Sequence, residues 1–167
     1  MRRHDARALD RRRALGLLPA LARRLAPRLG PGDVLALSGP IGAGKSTFAR
    51  ALIKHLLAAE GRDEDVPSPT FTLVQSYETR GFEIWHCDLY RLTHADEVLE
   101  LGLDAAFDDA LCLVEWPDRL DDDLPAAALS LDFAPEAAGE ARTLTLTWSD
   151  DGWTSRLSFL SEATHAD

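Results

Sequence analysis

Cysteine is scarce in this chain: only Cys87 and Cys112 occur among 167 residues. Two cysteines make no disulfide scaffold, and both read as small buried apolar side chains in a reducing compartment. No apolar run is long enough to span a bilayer. The nearest imitation of a targeting segment is Ala14-Leu15-Gly16-Leu17-Leu18-Pro19-Ala20-Leu21-Ala22, behind the N-terminal arginines. It is short, runs straight into Arg23-Arg24 and is followed by no small-residue cleavage site. It therefore reads as an amphipathic helix with Leu18, Leu21 and Leu25 toward the core. His86, Cys87 and His94 lack the spacing of a standard zinc site. The expectation is a cytoplasmic protein without membrane contact.

Basic residues are also scarce after the first third. Residues 1–60 carry 12 Lys and Arg against 4 Asp and Glu, while residues 61–167 carry 6 against 24, for a net charge of −10. The acidic remainder opposes any independent grip on nucleic acid, because carboxylates repel phosphate. The Arg2-Arg3 and Arg11-Arg12-Arg13 clusters read as solvated surface, with contact to RNA or an acidic partner as the sharper alternative. The length and the 46% hydrophobic content suit one globular domain over 1–167, with 1–13 and 161–167 expected to be flexible.

What is present is decisive. Gly39-Pro40-Ile41-Gly42-Ala43-Gly44-Lys45-Ser46 fits G-x-x-x-x-G-K-[ST], the phosphate-binding P-loop. Before it, Asp33-Val34-Leu35-Ala36-Leu37-Ser38 reads as a buried strand. After it, Ser46 to Ala59 holds no Gly or Pro and reads as a helix. The glycines permit backbone angles that a side chain forbids. Successive N–H groups then form an anion-binding nest, and the helix N-terminus adds favourable partial charge. Lys45 supplies a point charge for the β- and γ-phosphates, Ser46 a hydroxyl for magnesium, and Thr47 lies within range of the α-phosphate. The implied ligand is a nucleoside triphosphate with magnesium.

Further along, Val66-Pro67-Ser68-Pro69-Thr70-Phe71 is held extended by its prolines. Strands are expected within 71–77, 81–91 and 110–116, and a helix opens at the capping-box-like Thr93-His94-Ala95-Asp96 and closes near Gly102. Two strands end in acids, Asp88 and Glu115. In open α/β sheets ligands sit at the carboxyl ends of the strands. Both acids are therefore candidates to hold magnesium or to orient an attacking water. Segments 129–133 and 142–148 alternate apolar and polar residues and read as antiparallel strands. Arg156 to Phe159 is a candidate short packed piece. The fold class is α/β: a P-loop NTPase-like three-layer fold with a mostly parallel central sheet and added antiparallel strands from the C-terminal third.

These blocks together resemble the TsaE (YjeE) family, the small P-loop ATPases of bacterial tRNA threonylcarbamoyladenosine synthesis. Pro31-Gly32-Asp33, the P-loop, Ser68-Pro69-Thr70-Phe71, His86-Cys87-Asp88-Leu89-Tyr90-Arg91 and Glu115-Trp116-Pro117 occur in the family's order. The resemblance implies ATP and Mg2+ as cofactors. It implies Thr70 as a switch threonine, Asp88 as a Walker-B-like or water-orienting acid, Glu115 as a magnesium holder, and Trp116 beside the site. It also implies TsaD and TsaB as partners, which transfer threonylcarbamoyl to adenosine 37 of tRNAs reading codons that begin with A. The chain would then meet tRNA only through that complex. The family commonly carries Asp and Thr where this chain has Pro40 and Ser46. Serine keeps the hydroxyl, whereas Pro40 removes one N–H, which bears on the hydrolysis rate. No evident arginine finger stands out, Arg91 and Arg119 being the candidates within the chain. Two other readings are a small-molecule P-loop kinase and a non-hydrolysing nucleotide-binding subunit. The second part of the chain lacks the clustered arginines of a kinase lid, and the pairing of Glu115 with Asp88 favours hydrolysis.

Overall fold

The computed structural model describes residues 2–70, 72–94, 96–135 and 141–162. Seven strands form one sheet: β1 (Arg2–Asp10), β2 (Val34–Ser38), β3 (Val74–Glu78), β4 (Glu83–Asp88), β5 (Leu111–Glu115), β6 (Leu129–Pro135) and β7 (Ala141–Trp148). Their spatial order is β1-β7-β6-β2-β5-β4-β3. The four central strands, β6, β2, β5 and β4, run parallel, while β1, β7 and β3 pair antiparallel at the two sides. Of the two C-terminal strands, β6 therefore extends the parallel core and β7 turns back against it.

Period-two alternation sends the central side chains to opposite faces. On β5, Leu111 and Leu113 enter one apolar cluster, and Cys112 and Val114 enter the other. The first face is covered by α1 (Arg11–Leu25) and α2 (Lys45–Ala58). Leu18 and Leu25 are buried there, with Leu21 packed at the margin, as the amphipathic reading expects. The second face is covered by α3 (Asp96–Leu101), α4 (Leu103–Asp109) and a 3-10 turn over Pro117–Asp123. This is the three-layer α/β architecture of the sequence reading.

Two short helices, α5 (Asp151–Arg156) and α6 (Phe159–Glu162), close the described C-terminus. Phe159 is buried beneath the guanidinium groups of Arg24 and Arg28, 4.6 and 4.4 Å from its ring centre. Asp33, at the entry to β2, accepts two hydrogen bonds from Arg156 at 2.6 and 3.0 Å. It also receives the Gly30 N–H at 2.8 Å. The last residues of the expected flexible tail, 163–167, lie outside the described residues.

Within the N-terminal segment, Arg2–Asp10 forms strand β1. Arg2–Asp10 pairs with β7 from Arg2↔Trp148 to Asp10↔Ala141, with one register shift. Backbone pairing needs no apolar side chain, and β1 covers what would otherwise be an open edge of β7. The arginine side chains of 2–3 and 11–13 lie outside the described residues.

Candidate active site

β2 ends at Ser38, and the loop into α2 takes its shape from glycine. Gly39, Gly42 and Gly44 have φ of 144°, 79° and 113°. A Cβ at Gly39 would lie 2.3 Å from the Phe133 carbonyl oxygen on β6, so no side chain fits there. The Ala43 N–H donates to the Pro40 carbonyl at 3.1 Å. This closes a turn with Gly42 at its third position, where positive φ is required. Pro40 thus contributes a carbonyl to the turn, and its missing N–H costs the turn nothing. Ile41 at the tip is 78% exposed, and Ala43 is buried.

Gly44 caps α2 without any side-chain hydrogen bond. The first intrahelical bond runs from the Phe48 N–H to the Gly44 carbonyl at 3.0 Å. The amides of Lys45, Ser46 and Thr47 precede it and have no partner within the helix, which leaves them suited to an anion. Lys45 is buried, and its ammonium donates to the carbonyls of Gly39 and Pro40. The same group lies 3.9 Å from the centre of the Trp116 ring. Burial lowers the Lys45 pKa, opposed by the carboxylates of Glu115, Asp88 and Asp118.

Asp88 and Glu115 are register partners at the ends of adjacent parallel strands, β4 and β5. Both are buried. Glu115 Oε1 accepts the Ser46 hydroxyl at 2.8 Å, which ties the P-loop to β5. Its other oxygen lies 2.7 Å from His86 Nε2. Asp88 Oδ1 accepts the Tyr90 N–H at 3.1 Å, and its Oδ2 takes a long bond from the Thr70 hydroxyl at 3.5 Å. Thr70 is held in turn by Ser68 at 2.8 Å. The structure thereby gathers Lys45, Ser46, Thr70, Asp88 and Glu115 into one place. Thr47 lines a groove of about 780 Å³ with Arg50, Lys54 and the stretch Asp65-Val66-Pro67. Phe71, the last residue of the Ser-Pro-Thr-Phe block, lies outside the described residues.

Four further side chains complete the site. His86 is fully buried against Glu115. Trp116 adopts left-handed backbone angles, φ 59° and ψ 52°, which turn its ring over Lys45. Tyr90, 44% exposed, packs on Trp116 with ring centres 4.9 Å apart. Asp118 acts on Lys45 from the following turn, and no spacing rule in the sequence marks it. Arg91 and Arg119 are both exposed.

The donor set suits magnesium: a serine hydroxyl and carboxylates are hard oxygen ligands, and a P-loop metal takes further oxygens from phosphate. Among the described residues no three His, Cys, Asp or Glu side chains gather into a cage that would hold a metal unaided. No helix among them is long and apolar enough to cross a membrane.

A family model, Threonylcarbamoyl adenosine biosynthesis protein TsaE, matches residues 16–144. The chain belongs to the TsaE family. It is 37% identical over 129 residues to a TsaE protein of Bacillus subtilis named for tRNA threonylcarbamoyladenosine biosynthesis, covering 77% of each chain. It is 46% identical over 96 residues to the TsaE protein of Rickettsia felis, covering 58% of this chain and about half, 54%, of that relative. Among solved structures, YdiB of Bacillus subtilis superposes with a TM-score of 0.75 at 27% identity, over 98% of this chain and 97% of that one. The TsaE match includes the P-loop, Thr70, Asp88 and Glu115, and it stops within β7. α5 and α6 lie beyond it, although the YdiB superposition extends over nearly the whole chain.

Proposed function

We propose that this chain binds MgATP at the P-loop and hydrolyses it to ADP and phosphate, in support of the complex that installs threonylcarbamoyladenosine on tRNA. The observation that carries the proposal is the 2.8 Å bond from the Ser46 hydroxyl to Glu115. A P-loop serine joined to a strand-end acid is the pairing that a magnesium-dependent phosphoryl-transfer site requires. Ser46 and Glu115 would hold magnesium, with Glu115 acting through the serine or a water and Asp88 beside it. When bound, magnesium would neutralise phosphate charge.

The chain's own residues then divide the work. Loop and helix amides between Gly39 and Thr47 cradle the phosphates, apart from Pro40, which has none, and Ala43, which closes the turn. The Lys45 ammonium leaves the carbonyls of Gly39 and Pro40 for the β- and γ-phosphates, whose charge opposes the burial that lowers its pKa. Asp88 and Thr70 orient the attacking water beside the γ-phosphate. Catalysis on this scheme is positioning and charge neutralisation, with little covalent work for the protein.

On this proposal the partners would be TsaD and TsaB, which would carry out the transfer to adenosine 37. The test is reconstitution of modified adenosine on an unmodified tRNA with TsaD, TsaB and this chain. Wild type should support repeated turnover and Lys45→Ala should not. Equal support from Lys45→Ala would remove the P-loop from the function.

A further inference from the structure

His86 takes no part in the phosphate chemistry just described, yet it is fully buried in β4 and aimed at that chemistry. Its Nε2 lies 2.7 Å from Glu115 Oε2, while Glu115 Oε1 accepts from Ser46 at 2.8 Å. Its other ring nitrogen, Nδ1, is buried without a hydrogen-bond partner. An imidazole that served only to fill space would leave an apolar residue the better choice, because a buried polar atom without a partner is costly. The compensating contact is the one to Glu115. A carboxylate only accepts, so the bond assigns a proton to Nε2. With one oxygen held by His86, the Glu115 carboxylate is fixed in rotation and its other oxygen is committed to Ser46.

We propose that His86 is a positioning residue for Glu115, and that it sets how much magnesium the nucleotide site requires. This rests on the MgATP reading above. Groups behind a metal-holding carboxylate fix its orientation, and losing them typically costs 10- to 100-fold in metal affinity or activity. His86 touches neither the P-loop amides nor Lys45 in any described bond, so binding of nucleotide without metal is independent of it.

Three variants separate positioning from packing. His86→Leu keeps bulk and removes the donor. His86→Gln carries an amide N–H far enough along the side chain to replace Nε2, whereas His86→Asn has a similar polarity but falls one methylene short. The readout is equilibrium binding of a fluorescent ADP analogue, titrated at fixed EDTA and across magnesium concentrations, with thermal melting of each apo variant. His86→Leu and His86→Asn should bind metal-free ADP as wild type does, but need about 10-fold more magnesium for the magnesium-enhanced affinity. His86→Gln should restore most of the wild-type requirement. In a Glu115→Gln background, His86→Leu should produce no further change. An unaltered magnesium requirement in folded His86→Leu, or equal defects in the Gln and Asn variants, overturns the positioning role. If His86→Leu does not fold, the Gln and Asn pair decides alone. Failure of the wild type to bind ADP in either condition would instead remove the nucleotide reading itself.

Discussion

At Gly39 the P-loop backbone passes so close to β6 that a single methyl group would overlap the Phe133 carbonyl. The neighbour is backbone and cannot swing aside. Gly42 also has positive φ but faces open space. Gly39→Ala should therefore cost about 3 kcal/mol, a fall in Tm of roughly 6–12 °C, while Gly42→Ala should cost about 1 kcal/mol and 2–4 °C. Differential scanning calorimetry of the two variants checks the ranking. The cysteines give a second contrast. Burial, helped by Asp109, pushes the Cys112 thiol from 9.0 up to about 12, and burial raises Cys87 well above its ordinary value. Neither thiol should react with an aromatic disulfide reagent in the native protein at pH 8, and both should react after denaturation. The folded state keeps the Cys112 proton between pH 9 and about 12 while the unfolded state releases it. Stability is thus unaffected by this group below pH 9 and declines above it, by up to about 1.4 kcal/mol per pH unit. At this scale much was legible: the P-loop stands out by its pattern and Asp88 and Glu115 by residue type at strand ends, while Thr70 was marked only by the family resemblance. His86 was legible as a structural or supporting residue but its partner Glu115 was not, and Asp118 was not marked at all, because it lies on a turn whose path the sequence does not specify.

Among the elements, β2 is anchored at both ends. At its exit lies the phosphate loop, and at its entry Asp33 binds Arg156 of α5 through two oxygens while receiving the Gly30 N–H. Arg156 also stacks on Trp153 at 3.7 Å and donates to the Arg28 carbonyl at 3.0 Å. The Pro31-Gly32-Asp33 block, which the sequence offers only as a resemblance, thereby acquires a physical role. A double-mutant cycle of Asp33→Ala and Arg156→Ala in urea should give a coupling of about 0.5–1 kcal/mol that shrinks in 1 M salt, because the pair is partly exposed. Coupling near zero at low salt would assign the anchoring to the stacked ring instead. The helices and central strands follow from apolar periodicity and from glycine and proline punctuation. β1 does not. Its residues alternate no apolar face, and its reason for existing is the hydrogen-bonding edge of β7, a partner more than 130 residues away in the chain.

Taken whole, the molecule places its candidate site where three parallel strands end. Ser38, Asp88 and Glu115 close β2, β4 and β5, and register pairs Leu37 with Glu115 and Glu115 with Asp88 across the three. The order in space is therefore P-loop strand, Glu115 strand, Asp88 strand. That order explains why Glu115 bonds to Ser46 and Asp88 to Thr70 rather than the reverse. The sequence marks both acids as candidates but cannot rank them, since strand order is a tertiary property. It follows that Glu115→Gln should lower turnover at least 10-fold and raise the magnesium requirement. Asp88→Asn should lower turnover with less effect on magnesium-dependent binding. The most direct test of ATP hydrolysis is phosphate release from MgATP by the purified chain, alone and with TsaD and TsaB. Wild type should release phosphate, faster with the pair, and Glu115→Gln should reduce release at least 10-fold at saturating ATP. No release above background from wild type with the pair present would contradict an ATPase function.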